Sequence, residues 1–150
     1  MPSIFTKIIN GEIPSYKVAE SDKFLAFLDV FPLAKGHTLV VPKREVDYIF
    51  EIEDKLLGEF HVFSKKVAKA IEKSVPCKRI GMAVIGLEVP HAHIHLIPIN
   101  HVGDISFLKP KLQLSKEELS EIAERIKGNY SAPLPPDGGS TQHTGGIPQN

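Results

Sequence analysis

The chain has 150 residues, 42% of them hydrophobic and 24% charged, which suits one globular domain with a core of its own. Its 18 Lys and Arg balance 18 Asp and Glu, so it lacks the basic excess that an extended nucleic-acid or membrane-surface footprint needs. The single cysteine, Cys77, excludes an internal disulfide. With no bilayer-length apolar run and no charged-then-apolar leader pattern, the expectation is a cytoplasmic protein.

The elements follow in chain order. Residues 4–9 read as a short apolar helix or turn, broken by Asn10-Gly11. Residues 16–20 and 24–28 read as strands around Ser21-Asp22-Lys23, and residues 37–41 as a third strand ended by Pro42. Leu56, Phe60, Phe63, Val67 and Ile71 recur at steps of three or four, the stripe of a long helix that starts near Glu53 or Asp54 and ends before Pro76. His61 falls off that stripe and reads as a surface histidine. Cys77, between Pro76 and Lys78, reads as a small filler with no neighbouring base to activate it. Residues 79–85 and 91–97 read as two more strands, joined by Gly86-Leu87-Glu88-Val89-Pro90. A last helix is expected from Ser115, with Glu118 completing a capping box, to about Lys127, stopping at Gly128. Beyond it the chain is rich in Gly and Pro and carries one formal charge, Asp137. The expected organisation is a folded domain over residues 1–128 and a flexible tail over 129–150.

Chemistry concentrates in His91-Ala92-His93-Ile94-His95. On a strand the three histidines share one face, while Ala92, Ile94 and Leu96 share the other and look like core. Three imidazoles side by side are costly to bury, because each needs a partner for its second nitrogen. Two functional readings follow. Alternating histidines can chelate zinc or copper, with His37 and Glu45 as further ligands. Alternatively, one neutral imidazole serves as a nucleophile, its other nitrogen protonated and held by an acceptor.

These residues resemble the histidine triad (HIT) family, whose motif stands here as His91-Ala92-His93-Ile94-His95-Leu96-Ile97. The resemblance extends over about residues 3 to 100. It includes Ile4-Phe5-Thr6-Lys7-Ile8-Ile9-Asn10-Gly11-Glu12-Ile13-Pro14, Ala26-Phe27-Leu28-Asp29-Val30-Phe31-Pro32 and Gly36-His37-Thr38-Leu39-Val40-Val41-Pro42-Lys43, in the family's order. It implies an α+β fold, with an antiparallel sheet and a long helix, in a homodimer with two sites. It also implies a nucleotidyl hydrolase or phosphoramidase that cleaves the α-phosphate P–N or P–O bond of a purine nucleotide conjugate. His93 would attack phosphorus, and water would hydrolyse the nucleotidyl-histidine. His91 and His95 would orient the nucleophile or contact phosphate and leaving group. Ile4, Phe5, Ile8, Ile13, Phe27, Leu28 and Val30 would line the base pocket, and Asp29 would accept from the ribose hydroxyls. That chemistry requires no cofactor and no metal. For the apolar set, plain core packing competes with ligand contact. For Asp29, a turn before Phe31-Pro32 competes with the ribose role.

The sequence departs from the family in two places. Residues 85–90 lack the amide side chain and the Ser or Thr that touch phosphate in many members, and Glu88 falls near the latter position. Either Glu88 turns away or the leaving group differs; backbone N–H groups around Gly86 offer a substitute. Glu45 stands where a further histidine is common; its expected role is a direct hydrogen bond to His91 that favours a protonated ring, and the competing reading is an exposed charge in the Lys43-Arg44-Glu45 turn. The alternatives to an enzyme are a nucleotide-binding protein with little turnover and the histidine-based metal module.

Overall fold

Strand β2 (Phe24–Leu28) reads Phe-Leu-Ala-Phe-Leu, and all five residues are buried. A strand apolar at every position belongs in a sheet covered on both faces, and the computed structural model, which describes residues 1–131, has that arrangement. Short helix α1 (Ile4–Ile9) is followed by strands β1 (Lys17–Glu20), β2 and β3 (Thr38–Pro42), long helix α2 (Asp54–Ser74), strands β4 (Arg79–Ala83) and β5 (Ile94–Ile99), and helix α3 (Lys116–Ser131). Single 3₁₀ turns lie at Ile49–Glu51 and Val102–Ile105. The sheet order is β1-β2-β3-β5-β4, and every neighbouring pair is antiparallel. The expected α+β class therefore holds. No helix of the described residues is long and apolar enough to cross a membrane.

Strand alternation divides the apolar residues between two clusters. Phe24, Ala26, Leu28, Val40, Ala92, Ile94 and Leu96 face α2 and α3, where Phe60, Phe63, Val67 and Ile71 complete the larger core. Leu25, Phe27, Leu39 and Val41 face the other way and meet Phe5 and Ile8 of α1. The expected stripe on α2 is thus the buried one, and His61 lies outside, its ring against the Leu57 carbonyl at 2.9 Å. The capping box of α3 is present: Ser115 Oγ accepts from the Glu118 N–H, and Glu118 accepts from the Ser115 N–H, both at 3.0 Å.

Three boundaries differ from expectation. Strand β5 begins at Ile94, not at residue 91, because the Ala92 N–H is spent on the Val46 carbonyl at 2.7 Å and the His91 N–H on Val89 at 2.8 Å. The backbone of residues 91–92 is thereby drawn out of the sheet's ladder. Strand β4 stops at Ala83, which pairs with His95, two residues short of the expected end at Ile85. Helix α3 runs through Gly128 to Ser131. A helical glycine costs only about 1 kcal/mol, and contacts beyond it offset this: Asn129 donates to Ser74 Oγ at 2.8 Å, and Tyr130 packs against Phe63. The first three residues of the expected tail, 129–131, are therefore helical. The expected flexible tail otherwise lies outside the described residues.

Candidate active site

The α1 side of the sheet holds a cavity of about 480 Å³. Its apolar wall comes from Ile4, Phe5 and Ile8 of α1, from Ile13, and from Phe27, Leu28 and Val30 at the end of β2. Asp29, His37, His93 and His95 form its polar end. Every residue expected in the base pocket lines it. His91 does not: it is 0% exposed and lies behind the cavity.

Backbone geometry determines what each ring presents. The His91 carbonyl lies 2.7 Å from His93 Nδ1. A carbonyl only accepts, so Nδ1 carries the proton of the neutral ring and Nε2 keeps its lone pair. His93 Nε2 has no hydrogen-bond partner among the described residues. The Phe5 ring packs edge-on to His93, with centroids 5.0 Å apart.

His37 reaches the site because Gly36 turns the chain ahead of β3. Gly36 has φ +94°, and a Cβ there would lie 2.9 Å from Val75 Cγ2, so both conformation and space call for glycine. The Leu33 N–H donates to His37 Nδ1 at 3.0 Å. The ring proton therefore sits on Nε2, which donates to His95 Nδ1 at 3.0 Å. His95 is left with a proton on Nε2. Burial lowers the His37 pKa to about 3, helped by His95 and Lys111. Burial likewise lowers His95 to about 4, helped by His93 and Lys111. Both rings are neutral at pH 7, so His95 Nε2–H is a fixed donor, not a store of a second proton.

Asp29 does two things at once. Its Oδ1 accepts from the Phe31 N–H at 2.9 Å, the turn role, while Oδ2 lies 3.6 Å from His37 Nε2 on the cavity side. Burial raises its carboxyl pKa.

Asp29, His37 and His95 offer atoms within 4.8 Å of one another, the spacing of a metal site. Their hydrogen bonds do not fit one. A metal on His37 Nε2 would force the ring proton onto Nδ1, against the Leu33 N–H that already points there. Nor do the ligands expected from sequence assemble: Glu45 lies with Ser3 and Thr6, away from His37. The metal reading is set aside on this donor geometry.

The direct Glu45–His91 pair is not formed. Glu45 accepts from the Ser3 N–H at 2.9 Å and from the Thr6 hydroxyl at 2.5 Å, and Ser3 Oγ meets His91 Nδ1 at 2.7 Å. Burial lowers the His91 pKa, against the expected protonated ring. Glu88 is exposed and is among the residues that line the cavity.

Phe107 and Lys111, which sequence reading missed, also line the cavity. Phe107 packs edge-on to His95 at 4.7 Å, Lys111 Nζ donates to the Phe107 carbonyl at 3.2 Å, and the Leu112 N–H ties the segment to Pro32 at 2.8 Å. Residues 106–113 have no periodicity to flag them; the one available signal was a Lys-Pro-Lys run close after the histidines.

Fold and site together define an α+β protein with a histidine-lined cleft on the face of its sheet opposite the long helices. The family model described as HIT domain matches residues 10–102. The chain belongs to the histidine triad family. It is 38% identical over 141 residues to an uncharacterized HIT-like protein of Borreliella burgdorferi, covering 84% of this chain and 96% of the relative. It is 35% identical over 128 residues to the adenosine 5'-monophosphoramidase hnt1 of Schizosaccharomyces pombe, covering 84% and 96%. Among solved structures, a Hit-like protein from Bartonella henselae superposes with TM-score 0.74 at 31% identity, covering 85% of this chain and 95% of that one.

Proposed function

We propose that this chain hydrolyses the α-phosphate P–N or P–O bond of purine nucleotide conjugates through a covalent nucleotidyl-His93. The observation that carries this reading is the His93 Nδ1–H bond to the His91 carbonyl, which leaves a Nε2 lone pair at the polar end of an apolar cleft. The name of the fission-yeast relative supports a phosphoramidase class.

The purine lies between α1 and the end of β2, and Asp29 Oδ2 accepts from the ribose hydroxyls. His93 Nε2 attacks the α-phosphorus. The new N–P bond forms as the bond to the leaving amine or phosphate breaks, and the leaving group departs with that electron pair, taking its proton from solvent. The nucleotidylated ring is a cation, which strengthens its Nδ1–H bond to the His91 carbonyl. His95 Nε2–H donates to a phosphate oxygen as charge develops there, and Lys111 supplies a positive charge in a region that lacks the family's amide. Water then attacks phosphorus and gives up a proton to solvent, while the N–P bond breaks and its electron pair returns to Nε2. We further propose a homodimer. Its support is β4, which is an edge strand with Met82 48% exposed.

One observation favours the second reading, a nucleotide binder with little turnover: residues 85–90 bring Glu88 to the cavity and no amide side chain. Incubation with adenosine 5'-phosphoramidate separates the two. Release of AMP, with a nucleotidyl adduct mapped to His93 after acid-free quenching, is the expected result. Tight AMP binding with no turnover and no adduct selects the binder.

A further inference from the structure

His91 is the triplet member that the proposed reaction does not touch, yet its ring is the most constrained. Its Nε2 lies 2.8 Å from the Pro42 carbonyl, an acceptor, so Nε2 carries the ring proton. Nδ1 then holds a lone pair, and the Ser3 hydroxyl at 2.7 Å donates to it. That uses the single hydrogen of Ser3, whose oxygen still accepts from the Thr6 N–H at 3.0 Å and so caps α1.

Thr6 creates an ambiguity that Glu45 removes. The Thr6 hydroxyl lies 3.4 Å from the same His91 Nδ1 and 3.3 Å from Ser3 Oγ. Left free, it would compete with Ser3 for the one lone pair. Glu45 Oε1 takes its hydrogen at 2.5 Å and also accepts the Ser3 backbone N–H at 2.9 Å. Every hydrogen in the cluster then has one place to go. The cluster also fixes α1, whose Phe5 packs edge-on to both His91 and His93 at 5.9 and 5.0 Å.

We infer that Ser3, Thr6 and Glu45 are positioning residues for the nucleophile: they lock His91 in its Nε2–H tautomer and so hold its backbone carbonyl on the Nδ1–H of His93. The inference rests on the reading of His93 as nucleophile. Ring and carbonyl belong to one residue, so a ring bolted at both nitrogens leaves that carbonyl little room to turn. The carbonyl in turn decides which nitrogen of His93 faces phosphorus.

The test joins nitrogen NMR to kinetics on the full chain. Long-range ¹H–¹⁵N correlation at pH 7 should show His91 as a single neutral Nε2–H ring. Ser3→Ala should blur that signature into mixed tautomers and lower kcat about tenfold, with KM changing less, as expected for a misdirected nucleophile. Ser3→Thr, which keeps the hydroxyl and the cap, should restore both. Glu45→Ala should produce a smaller change of the same kind and gives a second reading if Ser3→Ala weakens α1. An active wild type whose Ser3→Ala and Glu45→Ala variants keep the His91 nitrogen shifts, or lose them at unchanged kcat, overturns this inference alone. A wild type with neither turnover nor adduct overturns the nucleophile reading first and this inference with it.

Discussion

On the helix side of the sheet, Phe24 stacks against Phe60 and Phe63 with ring centroids 5.4 and 5.5 Å apart. One residue further along β2, Leu25 points the other way, into a cluster of six buried residues closed by the short helix α1. The helix side draws on two long helices, and most of the buried hydrophobic residues lie there. The α1 side leaves a cavity and buries five polar side chains with it, Ser3, His37, His91, His93 and His95. Desolvated imidazoles and hydroxyls cost stability unless each finds a partner. The deep core opposite lets the sheet carry that cost, and the histidines are held by bonds to backbone and to one another.

That contrast is tested most severely by His93→Ala. Turnover of adenosine 5'-phosphoramidate should fall by ~10⁴–10⁶, while circular dichroism and the thermal midpoint stay near wild type. A rate within tenfold of wild type would end the covalent reading. Phe60→Ala probes the opposite face. Phe60 is 0% exposed, so its loss should cost roughly 3–5 kcal/mol in urea unfolding, with kcat per folded molecule unchanged below the transition. A large kcat defect in folded Phe60→Ala would mean that the two faces are not separable.

Acid should act on the α1 face first. The unfolded chain protonates His37 and His95 near 6.5, whereas the folded chain holds them neutral down to about 3 and about 4. Between these values the unfolded state binds more protons. Stability is therefore full above about pH 6.5 and is lost as pH falls toward 4, by on the order of 1 kcal/mol per pH unit for each ring. His91, also lowered by burial, adds in the same direction. The lowered carboxyl pKa of Glu45 acts later, below its ordinary 4.5. Urea midpoints at pH 7 and pH 5 check this, and equal midpoints would refute it. The smallest effect is expected at the cavity rim. Lys111→Ala should raise KM several-fold, a loss of about 1 kcal/mol, and less at high salt. An unchanged KM would reduce Lys111 to a cap on the Phe107 carbonyl.

Much of this was legible in the sequence because it is periodic or local. The α2 stripe, the unbroken apolar run of β2 and the Ser115–Glu118 box each state their structure within a few residues. The alternation around the triplet correctly assigned Ala92, Ile94 and Leu96 to the core, and the family resemblance selected the apolar residues that line the cavity. What failed was non-local. The start of β5 depends on a Val46 carbonyl 46 positions away from Ala92, and the end of α3 on Tyr130 meeting Phe63. Lys111 and Phe107 join the cavity through the packing of Phe107 on His95 and the bond of Leu112 to Pro32.

The sequence by itself marked the histidine triplet and determined which face of each strand the apolar residues occupy, since alternation and helical spacing are properties of the chain alone. The protonation geometry was decided only by the tertiary structure. Which nitrogen of each histidine bears its proton depends on the carbonyl of Pro42, the N–H of Leu33 and the hydroxyl of Ser3, groups that folding brings to the rings. For the same reason Glu45, placed beside His91 from the sequence, reaches it through the N-cap of α1 and a residue of its first turn: a hydrogen bond needs a partner within about 3 Å, and the fold put Ser3 and Thr6 there first.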